Sequence, residues 1–177
     1  LEKIPSLKKT EKINIMKDIL KGIAYIHNRK PYSLIHRDIK PTNILLTNSK
    51  VAKIADFGLS KFYNIEKIYS SDNLENLEHV KKNNYIELTE NVGTERYMPP
   101  EVQTNSINYT NKVDIYSCGI LLYELFENKR YIPGIKMSWY WCPKNIKNII
   151  INNMICDNYE DRYHAITILK LFDKLNI

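Results

Sequence analysis

Two short strings of residues carry side chains that could perform chemistry together. Residues 36–43 read His-Arg-Asp-Ile-Lys-Pro-Thr-Asn, and residues 56–58 read Asp-Phe-Gly. A carboxylate can accept the proton of a hydroxyl, an ammonium group can reach a phosphate, and carboxylate and amide oxygens are ligands that Mg²⁺ prefers. Together these groups favour phosphoryl transfer, which depends on positioning and charge compensation more than on covalent help from the protein.

Short elements on either side must position these strings. Apolar residues recur at helical spacing after Thr10, a candidate N-cap, and they predict an amphipathic helix that ends near His27. Residues 44–46 and 51–54 are apolar runs around a polar turn, and they predict a β-hairpin. The second strand of this hairpin leads directly into Asp56.

The rest of the chain predicts further helices and one long loop. A helix that is apolar on most sides is predicted over 110–126, where it would form the buried centre of the fold. Two more helices are predicted over 144–154 and 164–175. Residues 60–92 are polar and show no sustained period, which favours a flexible loop. The fold class is therefore mainly α, with one small β-hairpin inserted early.

The order and spacing of the two strings resemble the catalytic loop and the metal-binding loop of eukaryotic-type protein kinases. Each string alone is weak evidence, since an isolated Asp-Phe-Gly is more often a turn. Residues 93–101, Gly-Thr-Glu-Arg-Tyr-Met-Pro-Pro-Glu, resemble the end of the activation segment, although Pro99 replaces the usual Ala. Residues 112–119 resemble the start of the central helix of the family. The whole chain, 1–177, is thus similar to the C-terminal lobe of a protein kinase, with the hairpin bearing the catalytic and metal-binding loops.

The resemblance implies a role for each chemically active residue. Asp38 would orient the substrate hydroxyl and accept its proton, and Lys40 would reach the transferring phosphate. Asn43 and Asp56 would be the ligands of Mg²⁺. These two residues would also bind ATP, together with Leu45 beneath the adenine.

Other family positions would be structural or regulatory. The resemblance implies that Asp114 accepts hydrogen bonds from the backbone of the catalytic loop and that Arg162 pairs with Glu101. Phe57 would pack beneath the site, and Gly58 would permit a sharp turn of the backbone. The full set is His36, Arg37, Phe57, Gly58, Thr94, Glu101, Asp114 and Arg162.

Lys40 and Thr94 resemble the residues at these positions in serine/threonine kinases, a group that here includes the tyrosine-kinase-like branch. The implied activity is transfer of the ATP γ-phosphoryl group to Ser and Thr hydroxyls of protein substrates. Thr42 occupies a place where many kinases that favour basic substrates have Glu. A strong preference for Arg near the target residue is therefore not expected.

Residues 56–101 would form the activation segment, with the polar insertion at about 60–92. Kinases with an Arg at the position of Arg37 often depend on a phosphate in this segment, which could pair with that Arg. The candidate acceptors are Ser70, Ser71 and Thr89. The alternative is that the insertion is a passive surface loop.

The sequence contains no Gly-rich phosphate-binding string and no strand with a Val-Ala-x-Lys type of lysine. The family carries both on its N-terminal lobe. We therefore expect that lobe to be supplied in the same chain or in another chain, and we expect the isolated chain to be inactive without it. The alternative function is a non-catalytic, kinase-like scaffold or decoy that lacks the lid over ATP.

Composition narrows the classes of partner. The 26 Lys and Arg residues exceed the 20 Asp and Glu residues, but they are scattered, which favours a solvated basic surface over a nucleic-acid site. Cys118, Cys142 and Cys156 lie far apart, so neither a metal site nor a disulfide framework is expected. A reducing, cytoplasmic location follows. The longest apolar run is too short to span a bilayer, so no membrane partner is expected.

Overall fold

Helices dominate the computed structural model, which describes residues 7–64, 86–87, 93–103 and 108–175. The α-helices are α1 (Lys9–His27), α2 (Pro100–Gln103), α3 (Lys112–Glu127), α4 (Lys144–Asn153) and α5 (Ala165–Asp173). The strands are β1 (Tyr32–Ile35), β2 (Ile44–Leu46), β3 (Ala52–Ile54), β4 (Lys61–Asn64), β5 (Ile86–Glu87) and β6 (Asn108–Tyr109). Single 3₁₀ turns lie at Pro41–Asn43, Glu95–Tyr97 and Tyr159–Asp161. The mainly helical fold class is confirmed.

Helix α1 begins two residues before the position that an N-cap at Thr10 predicts. Its N-cap is Lys8, and Thr10 lies inside the first turn, so the prediction of Thr10 as the cap is wrong. The reason is Glu11, whose carboxylate accepts a hydrogen bond from the Lys8 N–H at 2.7 Å. Glu11 is the third residue of the helix, so this contact is the glutamate half of a capping box and fixes Lys8 as the N-cap.

Helix α3 is the buried centre of the fold, as its apolar sequence predicts. Ile115, Leu121 and Phe126 are each at most 1% exposed and belong to the main core cluster, which α1, α4 and α5 also line. The C-terminus of α3 is tied to α1 by Lys12. The ammonium group of this buried lysine donates to the Phe126 carbonyl at 3.2 Å and to Asn128 Oδ1 at 2.8 Å.

The strands form three antiparallel pairs rather than the single expected hairpin. β2 and β3 form that hairpin, with Ile44 opposite Ile54. β1 pairs with β4, and β5 pairs with β6. The prediction that 60–92 is a loop throughout is therefore wrong for β4 and β5. Both strands pair with partners remote in sequence, so neither produces a local pattern.

Within 60–92, residues 65–85 and 88–92 lie outside the described residues, and so do the candidate phosphorylation sites Ser70, Ser71 and Thr89. Among the described ranges, no helix combines the length and the apolar character that a bilayer crossing requires.

A buried ion pair joins α2 to the helical core. Arg162 is fully buried, and its Nη1 and Nη2 donate to Glu101 Oε1 at 2.7 Å and Oε2 at 2.9 Å. Its Nε donates to the Cys156 carbonyl at 2.8 Å, and its guanidinium lies 4.9 Å from the ring centroid of Tyr116. Every face of the cation therefore has a partner, as a buried charge requires.

We expect Glu101→Ala to destabilise the protein by about 3–5 kcal/mol, because it leaves the Arg162 charge buried without its carboxylate. The measurement is the free energy of unfolding in urea. The matched control is Asp173→Ala, which removes an ion pair to Lys17 whose aspartate is 66% exposed. That control should cost no more than about 1 kcal/mol. Equal losses in the two variants would contradict a structural role for the Glu101–Arg162 pair.

Candidate active site

The loop of residues 36–43 follows β1, and its backbone is held by hydrogen bonds to Asp114. This fully buried aspartate lies in the first turn of α3. Its Oδ2 accepts the His36 N–H at 2.8 Å, and its Oδ1 accepts the Arg37 N–H at 2.8 Å. Arg37 has a φ of 68°, an unfavourable backbone conformation for a non-glycine residue. The two hydrogen bonds to Asp114 hold the loop in this conformation.

Sequence reasoning missed His27, the third partner of Asp114. Its Nε2 lies 2.8 Å from Asp114 Oδ2, and both side chains are buried. One signal was available. His27 follows Leu20 and Ile23 by seven and four residues, so it shares the buried face of α1, and a buried imidazole needs a hydrogen-bonding partner.

Asp38 is the centre of a compact polar cluster and is only 7% exposed. Its Oδ2 accepts from Lys40 Nζ at 2.7 Å and from Asn43 Nδ2 at 2.9 Å. Its Oδ1 accepts from Thr94 Oγ1 at 2.9 Å. Lys40 Nζ also donates to Thr94 Oγ1 at 2.8 Å, which closes the cluster. The structure thus brings together residues that are up to 56 positions apart in the chain.

Opposing effects set the proton affinity of Asp38. Burial raises the pKa of the carboxyl group, but the hydrogen bonds from Lys40, Thr94 and Asn43 and the charge of Lys40 outweigh it, so the pKa lies below its ordinary value. Asp38 is therefore ionised at neutral pH. Each carboxylate oxygen has two lone pairs, so Oδ1 can accept from a further hydroxyl beside its bond from Thr94.

The Asp-Phe-Gly string is attached directly to the loop of residues 36–43. The Ala55 N–H donates to the Asn43 carbonyl at 2.9 Å, and His36 Nε2 donates to the Ala55 carbonyl at 3.1 Å. The rings of His36 and Phe57 meet edge to face, with centroids 4.9 Å apart. Asp56 is thereby fixed in position one residue beyond this double attachment.

The sharp turn in this string lies at Asp56, not at Gly58. Asp56 has a φ of 63°, whereas Gly58 does not have a positive φ. An aspartate tolerates the left-handed region better than most residues because its short side chain can bond locally, and Asp56 Oδ1 accepts the Gly58 N–H at 3.2 Å. A Cβ at Gly58 would lie 3.2 Å from the same oxygen. Glycine is therefore favoured at position 58 by the close approach of the Asp56 carboxylate, and not by the φ of the residue.

The remaining predicted site residues lie nearer the surface. Leu45 is 56% exposed and Phe57 is 45% exposed. Arg37 directs its Nε to the Leu59 carbonyl at 2.5 Å, within the Asp-Phe-Gly region. The structure therefore places Arg37 beside the start of the segment from 56 to 101.

Gly93 lies directly against the loop of residues 36–43. It has a φ of 123°, and a Cβ added there would lie 2.6 Å from the Arg37 carbonyl oxygen. The next residue is Thr94, which bonds to Asp38. The 3₁₀ turn at Glu95–Tyr97 is then anchored on α3, because Ser117 Oγ donates to the Tyr97 carbonyl at 2.8 Å.

The donor set fits Mg²⁺ as a metal shared with phosphates. No group of three or more His, Cys, Asp or Glu side chains suited to a metal occurs among the described residues. Mg²⁺ is usually held by one or two protein oxygens together with substrate phosphates. Asn43 gives its amide nitrogen to Asp38, and its Oδ1, which accepts only a long hydrogen bond of 3.5 Å from Thr42, could serve as a ligand atom. The exposed carboxylate of Asp56 could serve as another, since the preceding Ala55 is bonded to the Asn43 carbonyl.

Comparisons with known proteins agree with this geometry. A family model described as protein kinase domain matches residues 1–170. The serine/threonine-protein kinase VIK of Arabidopsis thaliana is 36% identical over 122 residues, which is 68% of this chain and 24% of that protein. Extracellular signal-regulated kinase 2 of Dictyostelium discoideum is 37% identical over 116 residues, 66% of this chain and 27% of that protein. The chain thus spans about a quarter of the length of these relatives.

A solved structure shows the same fold. The crystal structure of the yeast RNA Pol II CTD kinase CTDK-1 complex contains a chain that superimposes with a TM-score of 0.72 at 22% sequence identity. The match covers 94% of this chain and 62% of that chain.

We expect Thr94→Val to raise the pKa of Asp38, because it removes a hydrogen bond that favours the charged form while burial remains. Thr94→Ser retains the hydroxyl and should leave the pKa low. The measurement is a carboxyl ¹³C NMR titration of Asp38. Since the folded pKa is depressed, the ionised carboxylate stabilises the fold above the unfolded pKa of about 4, and this contribution is lost as the pH falls through the folded pKa. Identical titration curves for the two variants would overturn this account.

Gly93→Ala should be more damaging than Gly134→Ala. Both glycines have a positive φ, at 123° and 78°, but a Cβ at Gly134 meets nothing within 4 Å, whereas a Cβ at Gly93 collides with the Arg37 carbonyl. The comparison separates the cost of the backbone conformation from the cost of the collision. The measurement is the unfolding free energy of each variant together with the pKa of Asp38. A shifted Asp38 pKa in the Gly93 variant alone is the expected result, and equal behaviour of the two would refute the close approach.

Proposed function

The chain belongs to the protein kinase family, and we propose that it is the C-terminal lobe of a protein serine/threonine kinase, extending over residues 1–177. The proposed reaction is transfer of the γ-phosphoryl group of ATP to Ser and Thr hydroxyls of protein substrates. One observation carries the proposal. Asp38, Lys40, Asn43 and Thr94 form a single hydrogen-bonded cluster, and the backbone of Asn43 is bonded to the residue before Asp56.

Asp38 is proposed to orient the substrate hydroxyl and to receive its proton. Its lowered pKa keeps it ionised and able to accept a hydrogen bond, although it also makes the carboxylate a weak base. A weak base suits a reaction in which the hydroxyl proton leaves late, when the oxygen has already begun to bond to phosphorus. Positioning is then the larger part of what Asp38 contributes.

Lys40 is proposed to compensate the charge of the transferring phosphoryl group. Its ammonium group is held by Asp38 and Thr94, so it remains at the reaction centre without the need for reordering. The Thr94 hydroxyl bonds to both residues, and it therefore fixes the relative positions of the carboxylate and the cation.

Asn43 and Asp56 are proposed to bind Mg²⁺ through their side-chain oxygens, and these residues with Leu45 are proposed to contact ATP. When bound, Mg²⁺ would neutralise phosphate charge and orient the nucleotide. The attachment of Ala55 to Asn43 and His36 supports this assignment, because it limits how far Asp56 can move from Asn43.

Two observations support serine and threonine as acceptors. The Lys40–Thr94 contact is made by the residues that resemble those of serine/threonine kinases. The relative from Arabidopsis thaliana is named a serine/threonine-protein kinase.

We further propose that residues 56–101 form the activation segment, with Arg37 as the receptor for a phosphate on Ser70, Ser71 or Thr89.

Asp38→Asn should lower phosphoryl transfer by about 100-fold or more while sparing nucleotide binding, because it removes the proton acceptor and leaves the metal ligands. Asp56→Asn should weaken Mg²⁺-dependent nucleotide binding as well. Transfer to a serine peptide is measured with the N-terminal lobe supplied in the same chain or in another, and nucleotide binding is measured by calorimetry.

The control for these variants is Asp173→Asn, which neutralises an exposed carboxylate on α5. It should leave both measurements unchanged. Near-normal turnover by Asp38→Asn would exclude the proposed role of Asp38. Normal nucleotide binding but no transfer by the unmodified protein would favour the non-catalytic scaffold.

A further inference from the structure

A cavity of about 730 Å³ opens directly beside the Asp38 cluster. Its inner wall includes Lys40 and Thr94, both of which contact the Asp38 carboxylate. Thr42 also lines this wall. A substrate segment that presents a hydroxyl to Asp38 must therefore pass this cavity with its neighbouring residues. The charged side chains of the cavity wall would therefore attract or repel the substrate residues on either side of the hydroxyl.

The wall contains more positive than negative side chains. The cations are Lys40, Arg96, Lys129 and Arg130, and the carboxylates are Glu95 and Glu124. Lys40 is paired with Asp38, and Arg96 Nη1 lies 3.8 Å from Glu124 Oε1, so these two cations already have carboxylate partners. Thr42, which also lines the wall, carries no charge.

Glu124 is mostly withdrawn from the cavity by its own hydrogen bonds. Its side chain is only 9% exposed. Its Oε2 accepts from the Tyr97 hydroxyl at 2.7 Å, and its Oε1 accepts the Tyr131 N–H at 2.8 Å. Burial, together with the neighbouring carboxylate, raises the pKa of Tyr97, so the phenol remains protonated and continues to donate. A carboxylate with these internal partners cannot also offer its lone pairs freely to an incoming cation.

The cations on the outer wall follow from the way α3 ends. Asn128 has a φ of 53°, and this left-handed residue ends the helix and turns the chain so that Lys129 and Arg130 lie on the exposed rim. Lys129 contacts neutral groups, with its ammonium 5.8 Å from the ring centroids of Tyr123 and Tyr140 and a hydrogen bond to Ser138. No carboxylate among the described residues compensates its charge.

We propose that this cavity binds negatively charged residues of the protein substrate next to the phosphorylated hydroxyl, and that Lys129 and Arg130 set this specificity. The inference rests on the proposed function for the identity of the hydroxyl, but the charge preference is a property of binding alone. Negative charge in the substrate can come from Asp and Glu side chains or from a residue that is already phosphorylated, and the wall chemistry suits both.

The experiment measures the affinity of the chain for fluorescent serine peptides by anisotropy. One peptide carries Asp on both sides of the serine, a second carries Asn at the same positions, a third carries Lys, and a fourth carries phosphoserine in place of one Asp. The Asp peptide should bind more tightly than the Asn peptide, and the Lys peptide should bind most weakly. Added salt should reduce the difference between the Asp and Asn peptides.

The variant K129E/R130E should weaken binding of the Asp peptide by about tenfold, since it reverses two charges on the rim. The matched control, K170E/K174E, makes the same change of net charge with two exposed lysines that do not line the cavity. It should bind as the unmodified chain does. The milder K129Q/R130Q should give an intermediate loss, and E95Q should strengthen binding by removing the exposed carboxylate.

Equal affinity for the Asp and Asn peptides would overturn the proposal, and so would an equal loss in the two double variants, which would assign the effect to overall charge. Tighter binding of the phosphoserine peptide would assign the cavity to substrates that carry a prior phosphate. Tighter binding of the Asp peptide would assign it to acidic ones.

The same peptides in a transfer assay, with the N-terminal lobe supplied, separate this inference from the proposed function. Transfer with no preference for Asp would refute the charge specificity and leave the kinase assignment intact. Selective binding of the Asp peptide without transfer to any peptide would refute the kinase assignment and leave the specificity intact.

Discussion

The site depends on one buried carboxylate, that of Asp114. It is fully buried in the first turn of α3, where the unpaired N–H groups of the helix favour a negative charge. Its hydrogen bonds to the backbone of His36 and Arg37 fix the loop that carries Asp38, and His27 braces it from α1. A buried charge with three donors costs little to retain and much to disturb. The loop of residues 36–43 is thus attached to the buried central helix α3 through polar contacts that have discrete geometry.

The helices and strands that have a local pattern of apolar residues could be predicted from the sequence. The helical spacing along α1 and α3 predicted both helices, and the two apolar runs predicted the β2–β3 hairpin. The pairs of β1 with β4 and of β5 with β6 could not be predicted, because short strands that pair across a large sequence distance leave no period. The wrong N-cap at Thr10 has a similar origin, since the competing bond from Lys8 to Glu11 is visible only in three dimensions.

Some residues of the candidate site could likewise be predicted from the sequence, and others could not. Asp38, Lys40, Asn43 and Asp56 stand out because their order and spacing are specific. The structure adds two features that the spacing of residues cannot give. One is the hydrogen bond that Thr94 donates to Asp38, and the other is the positive φ of the backbone at Asp56, where the sequence had suggested a sharp turn at Gly58. Glu124 illustrates the limit most clearly. In the sequence it is one more acid on an apolar helix, and only its contacts with Tyr97, Tyr131 and Arg96 show that its charge is already engaged.

The charge state of Asp38 depends on the position of residues 93–97. Asp38 is buried, so its ionised form depends on the donors around it, and Thr94 is the donor farthest from it in sequence. Any displacement of Gly93 from the Arg37 carbonyl would carry Thr94 away, while Lys40 would lose a partner and Asp38 would remain buried. The proton affinity of the carboxylate would then rise, because burial would be opposed by fewer hydrogen bonds. The same displacement would move Arg96 and Tyr97, which line the cavity beside Asp38. The turn at 94–97 thus couples the reactivity of the carboxylate to the shape and charge of the surface that a substrate would contact.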